Sequence, residues 1–141
     1  MSRADFYLIA KPRFLEQPLL LVCELTKRAY AASQPTLILA RDMAQAEELD
    51  DLLWAFDPDG YLPHQIAGTD EDEEETPVLI AAPETDAPSR PLVINLRDDV
   101  WLQPCDRILE VVPAEESARG GSRERWKQYK ALGFELNKHD M

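Results

Sequence analysis

Short apolar runs alternate with amphipathic stretches through the early part of this chain, and that alternation limits the fold more than any other feature. Residues 5–10 read Asp-Phe-Tyr-Leu-Ile-Ala, rich in aromatic and branched side chains, and predict a buried first strand. Lys11-Pro-Arg13 reads as a turn. Residues 14–32 place Leu21, Val22, Leu25, Ala29 and Ala32 near the 3.6-residue period, with Glu24, Lys27 and Arg28 toward water, and predict a helix. Proline is tolerated in a first turn but not in a helix interior, so Pro18 sets the regular start near Gln17. Thr36-Leu-Ile-Leu-Ala40 is a second buried strand. Strand, helix, strand at this spacing predicts a right-handed βαβ unit with parallel strands.

Asp42 is a good N-cap for a second helix over residues 43–56, whose apolar face is Ala46, Leu49, Leu52, Leu53 and Phe56. Asp57-Pro-Asp-Gly60 is a strong turn signal. Three more strands are expected over residues 77–81, 91–96 and 107–112, with irregular segments at 82–91 and 97–106. A last helix falls within residues 114–132, interrupted or started late at Gly120-Gly121, and Gly133 is its stop signal. Phe134-Glu-Leu136 is either a short terminal strand or a packed tail. The sum is an α/β fold: a three-layer Rossmann-like domain with a mostly parallel (mixed) central sheet of about five strands and helices on both faces.

The chain carries a net charge of −12, which argues against general affinity for the DNA backbone. One stretch reverses that sign: Arg119-Gly-Gly-Ser-Arg-Glu-Arg-Trp-Lys-Gln-Tyr-Lys130. On helical spacing Arg123, Trp126, Lys127 and Lys130 share a face. Such a face is either a solvated basic surface or a site for an anionic partner, where arginine offers a planar fork for a carboxylate and tryptophan an apolar wall. The residues at 70–75 are six consecutive acids, which repel one another and predict a solvated loop rather than a metal site.

No catalytic site is expected. The chain lacks a G-x-x-x-x-G-K-[ST] loop, a G-x-G-x-x-G loop and a G-x-S-x-G elbow, so a Rossmann-like outline does not imply nucleotide binding. His64 follows a proline in a turn with no nucleophile placed beside it, and reads as a structural or partner-contact residue before a general base. His139 is expected to be mobile near the C-terminus. Cys23 and Cys105 have no CxxC or CxxH company, which speaks against a disulfide framework or a zinc site, and Cys23 is expected to be a buried thiol. No cofactor and no metal is implied. The start of the chain has no signal-peptide hydrophobic region and no run spans a bilayer, so a cytoplasmic protein is expected.

Several blocks, in order, carry a resemblance. They are Phe6-Tyr-Leu8, Val22-Cys-Glu24, Gln45-Ala-Glu-Glu-Leu-Asp50 leading to Leu53-Trp54, and Tyr61-Leu-Pro-His-Gln65 with Ala67-Gly68. The later ones are Val111-Val-Pro113, Arg123-Glu-Arg-Trp-Lys-Gln-Tyr-Lys130 and Gly133-Phe-Glu-Leu-Asn137. As a set they resemble the chi subunit family of bacterial DNA polymerase III, over nearly the whole chain, so that residues 1–141 form a single chi-like α/β domain. The resemblance implies a non-catalytic bridge in the replisome. Such proteins bind the psi subunit, which tethers them to the clamp loader, and the acidic C-terminal tail of the single-stranded DNA-binding protein.

By motif match Arg123 would clamp the tail carboxylate. Trp126 would line the pocket, where the family usually has tyrosine. Lys127, with Arg119 and Lys130, would attract the tail's acids. The psi-facing surface maps to Trp54, Tyr61, Leu62, Pro63 and His64. From the residues alone, Trp54 and the aromatic-proline turn are either interface anchors or the sealed edge of the core. The Trp54 surface is also open to a helicase-type DNA repair protein in place of psi, and a small Rossmann-like enzyme is the alternative of a different class. Two departures from the family pattern stand out: Gly120-Gly121, which predicts a basic helix starting at Ser122 with Arg119 outside it, and the long acidic run, which we read as a loop discouraging non-specific DNA contact.

Overall fold

The computed structural model describes residues 2–56, 62–68 and 73–141. Its strands are β1 (Arg3–Leu8), β2 (Thr36–Leu39), β3 (His64–Ile66), β4 (Val78–Ala81), β5 (Leu92–Asn95), β6 (Arg107–Val112) and β7 (Glu135–Asp140). Its helices are α1 (Pro12–Glu16), α2 (Leu19–Ala31), α3 (Met43–Phe56) and α4 (Gly120–Ala131), with a 3-10 turn over Glu116–Ala118. The strands form one sheet in the order β3-β4-β2-β5-β6-β1-β7. Every neighbouring pair is parallel.

The α/β class and the flanking helices match the sequence reading; the sheet is wider than expected, with seven parallel strands. The two strands that pattern did not define are the edges. β3 is only three residues, His-Gln-Ile, and has no apolar run to mark it. β7 reads Glu-Leu-Asn-Lys-His-Asp, a polar sequence suited to an edge, and pairs with β1 along its whole length. The Phe134-Glu-Leu136 alternative therefore resolves as a strand. His139 is not a loose end: it lies in β7 with its ring stacked on Tyr7 at 4.8 Å. β1 and β2 are parallel as expected but are not neighbours, because β5 and β6 stand between them.

The segment expected as one helix is two. Pro12 occupies the first turn of α1, so Lys11-Pro-Arg13 starts a helix instead of making a free turn. The backbone then leaves helical angles at Gln17 (φ −134°, ψ 88°), and Pro18 caps α2. A residue before proline is pushed out of the α region, which is why the break falls there. Asp42 caps α3 as expected: its Oδ1 accepts the Gln45 N–H at 2.7 Å, while Gln45 Oε1 accepts the Arg41 N–H at 2.8 Å.

Two apolar layers sandwich the sheet. On one side α1, α2 and α3 bury Phe14, Leu21, Leu25, Leu49 and Leu53 against Tyr7, Ile38, Ile80 and Ile94. On the other, α4 packs Tyr129 and Trp126 near Phe6 and Ile108, and the segments after β4 and β5 bring in Ala87, Val100 and Trp101. Those two segments are pinned together by Trp101 Nε1, which donates to Ser89 Oγ at 3.0 Å. The buried Arg90 guanidinium donates to the carbonyls of Glu73 (2.7 Å), Thr76 (2.7 Å) and Pro77 (2.9 Å), tying the entry to β4. No described helix is long and apolar enough to cross a membrane.

Candidate functional site

The chain leaves β1 toward α1 and α2 on one face of the sheet, and leaves β6 toward α4 on the other. β1 and β6 are neighbours. Where adjacent parallel strands send their connections to opposite faces, a crevice opens beyond their carboxyl ends. This molecule has a pocket there of ≈ 440 Å³. Phe6, Leu8 and Val112 supply it from the strand ends, and Arg119, Ser122, Arg123, Trp126 and Lys127 from α4 and its approach. Lys138 reaches it from β7. Four cations line an apolar hollow with no acid among the lining residues, on a chain of net charge −12.

α4 is turned toward this pocket by a buried polar lock on the same helix. The Glu110 carboxylate in β6 has no solvent exposure. It accepts from Arg125 Nε, Tyr129 Oη and Asn95 Nδ2, each at 2.8 Å. Burial pushes the Glu110 carboxyl above its ordinary range, against the pull of Arg125, Asn95 and Tyr129. Burial and the neighbouring Glu110 likewise push the Tyr129 hydroxyl up. With Arg125 and Tyr129 facing inward, Arg123, Trp126 and Lys127 fall on the pocket side. Phe6 meets Trp126 edge-on, ring centres 5.0 Å apart, so the tryptophan is seated and not swinging in solvent.

The helix begins at Gly120, not Ser122. Gly120-Gly121 form its first turn, where glycine's cost is small and where a side chain on Gly121 would come 3.2 Å from Arg125 Nη1. Arg119 is consequently the N-cap residue; its Nε donates to the Pro113 carbonyl at 2.9 Å and it lines the pocket. Lys130 shares the helix but lies exposed outside the pocket lining. The other end of α4 closes as a Schellman turn. Phe134 N–H donates to Tyr129 O and Gly133 N–H to Lys130 O, both at 3.1 Å, with Gly133 at φ 85° and the Phe134 ring on Tyr129 at 5.1 Å.

Arg125 belongs to the basic stretch by sequence, yet it is buried and faces the core. Lys138 and the apolar floor were missed: a lysine in a polar strand carries no signal until β7 is laid beside β1.

The second predicted surface is assembled in part. Trp54, at the end of α3, is 54% exposed and stands over His64 with ring centres 4.5 Å apart. Leu62 and Pro63 are half-buried beside them, and Tyr61 lies outside the described residues. The His64 side chain is closed to solvent. Its Nδ1 lies 2.7 Å from Leu62 O, and its Nε2 lies 3.2 Å from Asp50 O and 3.3 Å from Asp50 Oδ1. Both nitrogens are committed to local oxygens, so the general-base alternative is set aside in favour of a structural histidine. Of the acidic run, residues 73–75 are described: Glu73 Oε1 accepts the Gly68 N–H and its carbonyl accepts from Arg90. Among the described residues no cluster of three His, Cys, Asp or Glu side chains is placed to hold a metal ion.

Comparison with known proteins decides the family. A family model described as "DNA polymerase III chi subunit, HolC" matches residues 1–137. The chain belongs to this chi family.

The chain is 33% identical to the DNA polymerase III subunit chi of Escherichia coli over 146 residues, covering 97% of each protein. It is 31% identical to that of Pseudomonas aeruginosa over 143 residues, covering 99% of this chain and 96% of the relative. The Haemophilus influenzae subunit is 28% identical over 120 residues, 83% of each. Membership of the chi family supports an accessory, non-catalytic part in DNA replication. The alternative of a small Rossmann-like enzyme is thereby replaced.

Proposed function

We propose that this chi-family chain is an adaptor of the replisome. It holds the acidic C-terminal tail of the single-stranded DNA-binding protein in the pocket beside α4, and the psi subunit on the Trp54 face, so linking that protein to the clamp loader. One observation carries the tail-binding reading: four cations converge on an apolar hollow in an otherwise acidic protein. A chain ending in a hydrophobic residue with a free carboxylate needs both a guanidinium and an apolar cavity. Arg123 offers the guanidinium, and Phe6, Leu8, Val112 and Trp126 offer the cavity. Arg119, Lys127 and Lys138 supply a screened attraction for the tail's acids. Lys130, outside the lining, contributes only at longer range.

The exposed Trp54 ring at the end of α3 supports the psi-facing assignment, together with the half-buried Leu62 and Pro63 next to it. Aromatic anchors of this kind carry much of an interface's energy.

Titration of a fluorescent peptide with the sequence of that acidic tail tests the reading. Wild type binds, added salt weakens binding, and Arg123→Ala loses about ten- to a hundred-fold, as expected for a hydrogen bond between charged groups. A wild-type protein indifferent to the peptide refutes tail binding. Affinity retained in Arg123→Ala moves the site away from α4.

A further inference from the structure

The pocket mouth is already partly occupied by the chain itself. Glu116, in the 3-10 turn just before α4, places its carboxylate on Arg123 Nη2. The same carboxylate stands 3.7 Å from Arg119 Nη1. One acid therefore bridges the two guanidinium groups that flank the pocket, whereas Lys127 and Lys138 make no ion pair among the described residues. The pair is open to solvent, with Glu116 70% and Arg123 60% exposed. Arg119 has a separate anchor on the Pro113 carbonyl, so the turn does not depend on Glu116 for its shape. Arg123's hydrogen bond also holds the Glu116 carboxyl below its ordinary range, so the competing charge is present at neutral pH.

We propose that Glu116 is an internal competitor for the tail: in the free protein it occupies the guanidinium of Arg123, and the terminal carboxylate of the incoming chain displaces it. The proposal rests on the tail-binding reading above. Its consequence is selectivity. A ligand that offers only negative charge meets an arginine already neutralised and a neighbouring acid that repels it. A ligand that also fills the apolar hollow gains enough to displace Glu116. Recognition sharpened by a built-in repulsive element is a general route to specificity.

The test compares Glu116→Gln with Glu115→Gln in the same peptide titration. Glu115 is the adjacent exposed acid and makes no ion pair with Arg123, so it controls for the loss of one negative charge. Glu116→Gln is expected to bind the tail peptide about two- to five-fold tighter than wild type, the range of an exposed ion pair. Glu115→Gln should move less than half as far. In an Arg123→Ala background Glu116 keeps only its 3.7 Å contact with Arg119, so the further change Glu116→Gln should gain less than it does with Arg123 present. Equal gains from the two glutamine variants, or no gain from Glu116→Gln while wild type binds, overturn the competitor and leave tail binding standing. A peptide that binds neither wild type nor Glu116→Gln overturns tail binding and the competitor together.

Discussion

Arg125 Nε donates to Glu110 Oε1 at 2.8 Å, joining the inner side of α4 to the middle of β6 where no solvent reaches. This pair fixes the rotation of the helix, and rotation decides which of its cations meet the pocket.

Removing one partner should be costly. Glu110→Ala leaves a buried guanidinium, an amide and a phenol without their shared acceptor, and is expected to destabilise by about 3–5 kcal/mol. Urea denaturation measures it. A loss below about 1 kcal/mol would mean that α4 is held by apolar contacts alone.

Asp5 makes stability depend on acid. Burial alone would raise its carboxyl, but hydrogen bonds from Arg107 and His139, with Arg3 adding to them, hold it below its ordinary range. A depressed carboxyl contributes stability that is complete above its unfolded value and is lost as pH falls through the lower folded one. Wild type should therefore lose stability on acidification below the ordinary aspartate range, about 3.9. Asp5→Asn should be less stable at neutral pH and show a shallower acid-side slope. Denaturant midpoints across pH would show it; identical slopes would remove Asp5 from the account.

Cys23 should be inert. It is fully buried in α2, and burial pushes its thiol up to about 12. Thiol-specific labelling of the folded protein should modify Cys105 first, with Cys23 reacting only after denaturation. Rapid labelling of Cys23 under native conditions would show that α2 opens locally.

The two proposed surfaces should separate. Trp54→Ala is expected to weaken co-elution with psi at least about thirty-fold, as for a central tryptophan anchor, and to leave tail-peptide affinity unchanged. Loss of both contacts from this one substitution would point to unfolding or to coupled sites, and thermal melting would tell the two apart.

The local chemistry was legible in the residues. Apolar runs marked β1, β2, β4, β5 and β6; Asp42 marked the start of α3; Gly133 marked the end of α4, and its φ of 85° is the reason glycine stands there. The basic face of α4 was also readable, because helical spacing and side-chain type are local properties, whereas the exposure of Trp54 was decided only by the structure. The edge strands were not. β7 is polar and becomes a strand only because β1 presents a free edge to pair with. Pro18 marks the start of α2, but the separate α1 before the break at Gln17 is only five residues long, too short to show a period of its own.

By itself, then, the sequence determined the five inner strands, the cores of α2, α3 and α4, and which helix carries the positive charge, since propensity, capping and periodicity act over a few residues. Only the tertiary structure decided that Arg125 points inward while Arg123 points out, because the buried Glu110 that selects between them lies 15 residues away on another element. It also decided the apolar floor and the place of Lys138, since both depend on β1, β6, β7 and α4 meeting at one end of a parallel sheet.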